Sequence, residues 1–188
     1  MEEQFAQDRD IKIPLTQGSL KIRHSHVEDL PRIMEIIAMA VDYMKENHID
    51  QWSENYPDRG RFLQDIEKNE SYICQIGGCI AATAALSLRD EPNYEKIFEG
   101  RWKTSGPYGV IHRIAVDDRF KGTGVAAAFV DHIEKMCINR GIYAVRVDTH
   151  RDNRSMDRFL RKHGFDRCGI IYVEDGTQRV AYEKELEK

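Results

Sequence analysis

Apolar positions along this chain switch repeatedly between a helical and an extended period, and the switches mark out its elements. Ile33, Ile36, Ile37, Ala40, Val41 and Met44 fall on one helical face. Ser25 followed by Glu28 reads as a capping box opening that helix, and SLKIRH before it reads as a short strand. The polar, aromatic-bearing stretch KENHIDQWSENYPDRG leads to a short helix around RFLQDIEK. SYICQI and CIAATAALSL, joined by Gly77 and Gly78, predict an antiparallel hairpin. Beyond an insertion, EPNYEKIFEGRWKTSGPYG, the run VIHRIAV predicts a fourth strand. A helix is expected from Thr123 to about Asn139, ending at Gly141, with Val125, Phe129, Ile133 and Met136 inward. IYAVRVDT is a fifth strand, NRSMDRFLRKH a helix closed by Gly164, and the remainder a hairpin turning at Asp175 and Gly176. This order predicts an α/β fold of the mixed-sheet (α+β) kind. About seven strands start as an antiparallel meander and include one right-handed strand-helix-strand crossover.

With 188 residues the chain fits one domain over residues 19–188 behind an N-terminal extension, 1–18. A net charge of −4 supplies no overall field for nucleic acid or an anionic membrane. The segment MEEQFAQDRD lacks the apolar core of a signal peptide, and CIAATAAL is too short to span a bilayer, so a cytoplasmic protein is expected. Cys74, Cys79, Cys137 and Cys168 form no CxxC pair, and no His stands at zinc-ligand spacing from two of them. Idle thiols and no metal are the expectation.

The stretch VDDRFKGTGVAAAF carries the chemistry. Two glycines one residue apart, leading into a helix whose first amides lack internal partners, suit a phosphate. Gly122 to Ala127 formally matches the dinucleotide pattern GxGxxA, with Asp148 at the end of the next strand where an acid would meet a ribose. In a dinucleotide fold, however, the strand runs almost directly into the first glycine, whereas here DDRFK intervenes. The P-loop pattern fails because no Lys-Ser or Lys-Thr follows.

IHRIAVDDRFKGTGVA followed by DNRSMDRFLRKHGF resembles the GCN5-related N-acetyltransferase (GNAT) family, over roughly residues 19 to 183 by element order. Its signature, Gln/Arg-x-x-Gly-x-Gly/Ala, is met by Lys121, Gly124 and Ala126, with Lys in the first place. A second register places Arg119, Gly122 and Gly124 there. The resemblance implies acetyl-CoA as co-substrate. Its pyrophosphate would lie on the backbone of Lys121, Gly122, Thr123, Gly124, Val125 and Ala126, and its pantetheine arm along the strand edge Ile114, Ala115 and Val116. Asn153 matches the family's Asn near the pantetheine, and it equally suits a helix N-cap.

The implied activity moves an acetyl group to a primary amine of a small molecule or peptide. An alkyl ammonium, with a pKa near about 10.4, is neutral roughly one time in a thousand at pH 7, so a base or desolvation must release its proton. His112 on the fourth strand is the candidate base, with packing or acceptor binding as the alternative. The oxyanion needs a donor, expected from a backbone amide near Ile114. The family's proton-donating Tyr, seven residues after the Asn, is here Leu160. Tyr182, Tyr143 or Tyr172 would have to substitute, or solvent would protonate the thiolate, or transfer would be reduced. Tyr182 is the candidate acid. For the acceptor, Gln51, Trp52 and Tyr56 form an aromatic, polar-edged loop with Asp50 and Glu54 as acids, and Tyr94, Trp102 and Tyr108 form a second group. Packing of these aromatics on the sheet is the alternative.

A non-catalytic acyl-CoA-binding module and a dinucleotide-dependent oxidoreductase are the rival readings, supported by Leu160 and by GTGVAA respectively. A homodimer through the outer strand of the C-terminal hairpin and a monomer whose edge is guarded by EKELEK both remain open.

Overall fold

The computed structural model describes residues 20–53 and 55–187. The N-terminal extension and Glu54 lie outside them. β1 (Leu20–His24), β2 (Ser71–Ile76), β3 (Cys79–Ser87) and β4 (Gly109–Val116) form the antiparallel meander. β5 (Ala144–Thr149) lies parallel to β4 after α3 (Val125–Ile138). β6 (Asp166–Tyr172) and β7 (Gln178–Glu185) complete a seven-stranded sheet in the order β1-β2-β3-β4-β5-β7-β6. Three further helices are α1 (Leu30–Glu46), α2 (Arg59–Glu67) and α4 (Arg154–Lys162).

Alternation along the strands decides which helices cover which face. Ile73 packs with α1 and α2 through Leu30, Ile33, Ile36, Ile37 and Phe62. Its neighbour Cys74 joins Phe129, Val130, Ile133 and Leu160 of α3 and α4 on the opposite face. Ile33 and Ile36 are completely buried, and each such side chain contributes about 1.5–3 kcal/mol. In α3 the inward positions are Val125, Phe129, Val130, Ile133 and Cys137, while the expected Met136 is only partly buried. Residues 94–108 of the insertion cover the α1/α2 side of the far half of the sheet, where Tyr94 packs with Val110, Ile171 and Ala181.

Helix starts follow local chemistry, with one correction. Asp58 accepts from the Arg61 amide to cap α2, and Asn153 accepts from the Met156 amide to cap α4. Before α1, the cap is one residue later than the Ser25/Glu28 spacing predicts. The Asp29 carboxylate accepts from the His26 amide at 2.7 Å and from Arg23, while the Ser25 hydroxyl accepts from Ser71 instead. The buried Ser25–Ser71 contact joins the turn to β2, and that tertiary bond takes Ser25 away from the cap.

The C-terminal hairpin also departs from expectation. β7 is an interior strand between β5 and β6, so EKELEK guards no edge. Glu183 is fully buried, and Lys184 reaches Glu134 of α3 at 2.7 Å. The outer strand β6 is covered by the chain's own insertion. Phe98 and Ile170 exchange backbone hydrogen bonds of 2.8 Å, and the Arg101 amide donates to the Cys168 carbonyl at 3.0 Å. So close an approach leaves no room for side chains: a Cβ on Gly100 would overlap the Cys168 carbonyl oxygen, and one on Gly169 would stand 2.5 Å from the Phe98 carbonyl oxygen. Ile171 faces inward and is fully buried. Among the described residues, no helix is long and apolar enough to cross a membrane.

Candidate active site

β4 and β5 are paired only at Gly109 with Val145 and at Val110 with Arg146, and beyond these residues they part. β4 meanwhile keeps its pairing to β3 as far as Val116 with Ala82. Among the described residues, the β5-facing side of β4 from Ile111 to Val116 is thus without a strand partner. An irregularity shapes this stretch. The register moves from Ala85–His112 to Thr83–Ala115, three residues of β4 against two of β3, and Arg113 takes a left-handed φ of 50°. Ordinary alternation puts His112 on the face opposite Ile111, and the bulge turns Arg113 not back to the α3 face but toward α2. There it meets the completely buried Asp65 at 2.7 and 2.9 Å.

A cavity of about 620 Å³ fills the gap between the parted strands. His112 and Ile114 line it from β4, Asn153 from the α4 N-terminus, and Gln51, Trp52 and Tyr56 from the α1–α2 loop. The loop is tied in place by Gln51, whose Oε1 accepts from Thr149 Oγ1 at 3.0 Å, from the His150 amide at 3.1 Å and from Asn153 Nδ2 at 3.3 Å. Gln51 therefore fastens the loop to the end of β5 as well as lining the cavity. Asn153 is 6% exposed and spends its Oδ1 on the helix cap, where it also accepts from Ser155. Of the second aromatic group, Tyr94 alone reaches the cavity. Trp102 and Tyr108 sandwich the Arg146 guanidinium at 4.0 and 3.7 Å, so packing claims those two rings.

Five carboxylates line the cavity (Asp50, Glu91, Asp148, Glu174 and Asp175) against three guanidiniums (Arg61, Arg113 and Arg179). Arg61 and Arg113 face Asp65, and Arg179 Nε lies 3.9 Å from Asp148, so the lining is net acidic. Glu91 sits 3.4 Å from His112 Nε2. Burial opposes ionisation of Glu91, yet the adjoining His112, helped by Ser87 and Arg89, holds its carboxyl down to about 2. Tyr94 donates its hydroxyl to Asp148 at 2.6 Å. Burial first, then the Asp148 charge, pushes that hydroxyl well above the usual phenol range.

Tyr182 is placed elsewhere. It packs in the α3/α4 core at 2% exposure, outside the cavity lining, and donates to Asp157 at 2.5 Å. Burial and that carboxylate raise its pKa, which suits a structural anchor better than an acid. Leu160, at the position of the family's Tyr, is fully buried in the same core. Cys74 and Cys137 are buried thiols pushed up to about 11 by desolvation.

The glycine turn lies at the far end of β4, outside this cavity. Asp117, completely buried, accepts from the Arg119 amide and side chain and from Arg32, which fixes the chain as it leaves the strand. Lys121 pairs with Asp118 at 2.5 Å, and its ammonium stands over the Tyr43 ring. Gly122 and Gly124 take φ of 76° and 93°, conformations open to glycine, and Gly124 is the N-cap of α3. The first amides of α3 lack intrahelical acceptors, so this turn offers donors and a positive helix end to an anion.

The residues that sequence reasoning missed are Glu91, Arg61, Arg179 and the Glu174–Asp175 turn. Glu91 precedes Pro92 in a stretch with no motif. Asp148, a lone acid closing an otherwise apolar strand apart from Arg146, did carry a signal.

Residues 35–165 match the sequence model of the Acetyltransferase (GNAT) family. Among solved structures, an acetyltransferase of the GNAT family from Streptococcus agalactiae is 31% identical, with 90% of this chain and 96% of that one covered and a TM-score of 0.82. PaiA N-acetyltransferase from Thermoplasma acidophilum, in complex with coenzyme A, shares the fold at 16% identity, 89% and 99% coverage and a TM-score of 0.67. The ribosomal-protein-alanine N-acetyltransferase of Brucella melitensis does so at 18% identity, 88% and 99% coverage and a TM-score of 0.64. No curated protein matched the chain. Parted parallel strands, a glycine turn opening the crossover helix and these matches lead to one conclusion: the chain belongs to the GNAT family of N-acetyltransferases.

Proposed function

We propose that this enzyme transfers the acetyl group of acetyl-CoA to a primary amine bound in the acidic cavity, with His112 as the base. The observation that carries the reading is the parting of β4 from β5 after Val110, which opens a strand edge leading toward the glycine turn and a cavity between the two strands. Acetyl-CoA supplies an activated thioester. Amides of residues 121–126 hold its pyrophosphate at the α3 N-terminus, and the open edge of β4 at Ile114 to Val116 takes its pantetheine arm as an added strand. The complex of PaiA with coenzyme A supports this choice of donor.

His112 takes a proton from the bound ammonium, the neutral amine then adds to the thioester carbonyl while a backbone amide near Ile114 receives the developing oxyanion, and collapse breaks the C–S bond as the nitrogen gives its second proton to solvent. With Tyr182 committed to Asp157, solvent in the cavity protonates the departing thiolate. The excess of carboxylates over guanidiniums in the lining, which also includes Trp52 and Tyr56, favours a cationic acceptor. Thermal-shift measurements test the donor. Acetyl-CoA should stabilise the protein and NADH should not; equal shifts would remove the reading.

A further inference from the structure

We infer that Glu91 is the positioning residue for His112: it holds the imidazole with Nε2 toward itself and leaves Nδ1 as the atom that takes the acceptor's proton. This rests on the reading of the cavity as the transfer site. Both side chains line that cavity, both are 18% exposed, and Glu91 Oε1 stands 3.4 Å from His112 Nε2. Nε2 is a buried nitrogen with no hydrogen-bond partner among the described residues, and the Glu91 carboxylate stands at near-bonding distance from it. In free enzymes such contacts are commonly long and tighten once substrate is bound. The Tyr94 ring stands edge-on to the imidazole at 6.2 Å.

Two other roles for Glu91 fit less well. A purely structural carboxylate in this protein collects several close donors, as Glu183 and Asp117 do. A base must accept a proton near neutral pH, whereas the Glu91 carboxyl is held down to about 2. The groups around the pair are fixed. Ser87 and Arg89 face Glu91 from the end of β3, Arg113 on β4 is turned into Asp65 of α2, and Asp148 across the gap is occupied by the Tyr94 hydroxyl. In turnover, His112 gains one proton at Nδ1 while Nε2–H donates to Glu91. It returns that proton to solvent after the thiolate has left, and both residues end as they began.

The test is a nitrogen NMR titration of the histidine side chains in the full chain, with His112→Ala identifying the His112 signal. The neutral imidazole should carry its proton on Nε2. In Glu91→Gln, whose amide carries no charge to hold Nε2–H, the preference for the Nε2 tautomer should weaken, and Glu91→Asp, which keeps the charge on a shorter arm, should fall between wild type and Glu91→Gln. A tautomer balance unmoved in both variants, or a neutral wild-type imidazole protonated at Nδ1, overturns the inference. The titration needs neither acetyl-CoA nor an acceptor, so its failure is distinct from failure of the transfer reading. In steady state kcat should fall in Glu91→Gln and be partly rescued in Glu91→Asp, while the KM for acetyl-CoA stays unchanged.

Discussion

Glu183, beneath the insertion, and Glu91, at its start, each meet a basic side chain, and they are served very differently. Glu183 accepts from the Lys103 amide, the Thr104 amide and hydroxyl, and Arg146 Nε, and it is completely buried. Its arginine is clamped in turn between Trp102 and Tyr108. Glu91 has a histidine at 3.4 Å and a cavity beside it. The first arrangement is closed on itself and fastens residues 101–108 to β5 and β7. The second retains unspent capacity, which is what a group that must change its bonding during a reaction requires.

The sharpest way to break this comparison is to remove each acid. Glu183→Ala leaves the Arg146 charge buried and unpaired, at a cost of about 3–5 kcal/mol in urea unfolding. Glu91→Gln, which removes a carboxylate held from about 4.3 down to about 2, should cost less, about 1–3 kcal/mol at neutral pH. Equal losses would mean that the two pairs are built for the same purpose.

Next in size is the cradle. Gly124→Asp puts a carboxylate at the α3 N-cap and a side chain on a φ of 93°. Acetyl-CoA affinity should fall at least about tenfold, near 1.4 kcal/mol, in a protein that remains folded. Calorimetric titration reads this directly, and a folded variant with full affinity would displace the pyrophosphate from the turn.

Gly100→Ala probes how the insertion is fastened. Its Cβ has no space beside the Cys168 carbonyl, and overpacking of this kind costs about 1–3 kcal/mol. Chemical denaturation should show that loss while acetyl-CoA binding is retained, because the cradle lies at the other end of β4.

The smallest effect is a pH dependence of stability. Glu91 is held near 2 in the folded chain, below a carboxyl's ordinary value near about 4.3. Its contribution is complete above the ordinary value and is lost as pH falls through about 2. Wild type should therefore lose more stability than Glu91→Gln over that acid window, about 2–4 °C in Tm for each kcal/mol.

What the sequence disclosed follows the range of the interactions involved. The face of α1, the glycine turn, the Asn153 cap and the α1–α2 loop are local patterns, and each stands where its spacing puts it. Glu91 shows no pattern because its partner lies on a strand entered only after the insertion. Arg113 and Asp65 are likewise joined by a bulge that alternation does not announce. Ser25 reads as a cap until Ser71, far along the chain, takes its hydroxyl. Trp102 and Tyr108 read equally as site or packing, and it is Arg146 that decides for packing.

The most direct test of the account is thiol release from acetyl-CoA with a panel of diamines, arylalkylamines and peptides bearing free N-termini. Thiol should appear in step with an acetylated amine. His112→Ala should lower that rate by about 10²–10⁴-fold and abolish the acid limb of the pH profile, with acetyl-CoA affinity nearly intact. A His112→Ala enzyme with wild-type rate and pH profile would contradict the account.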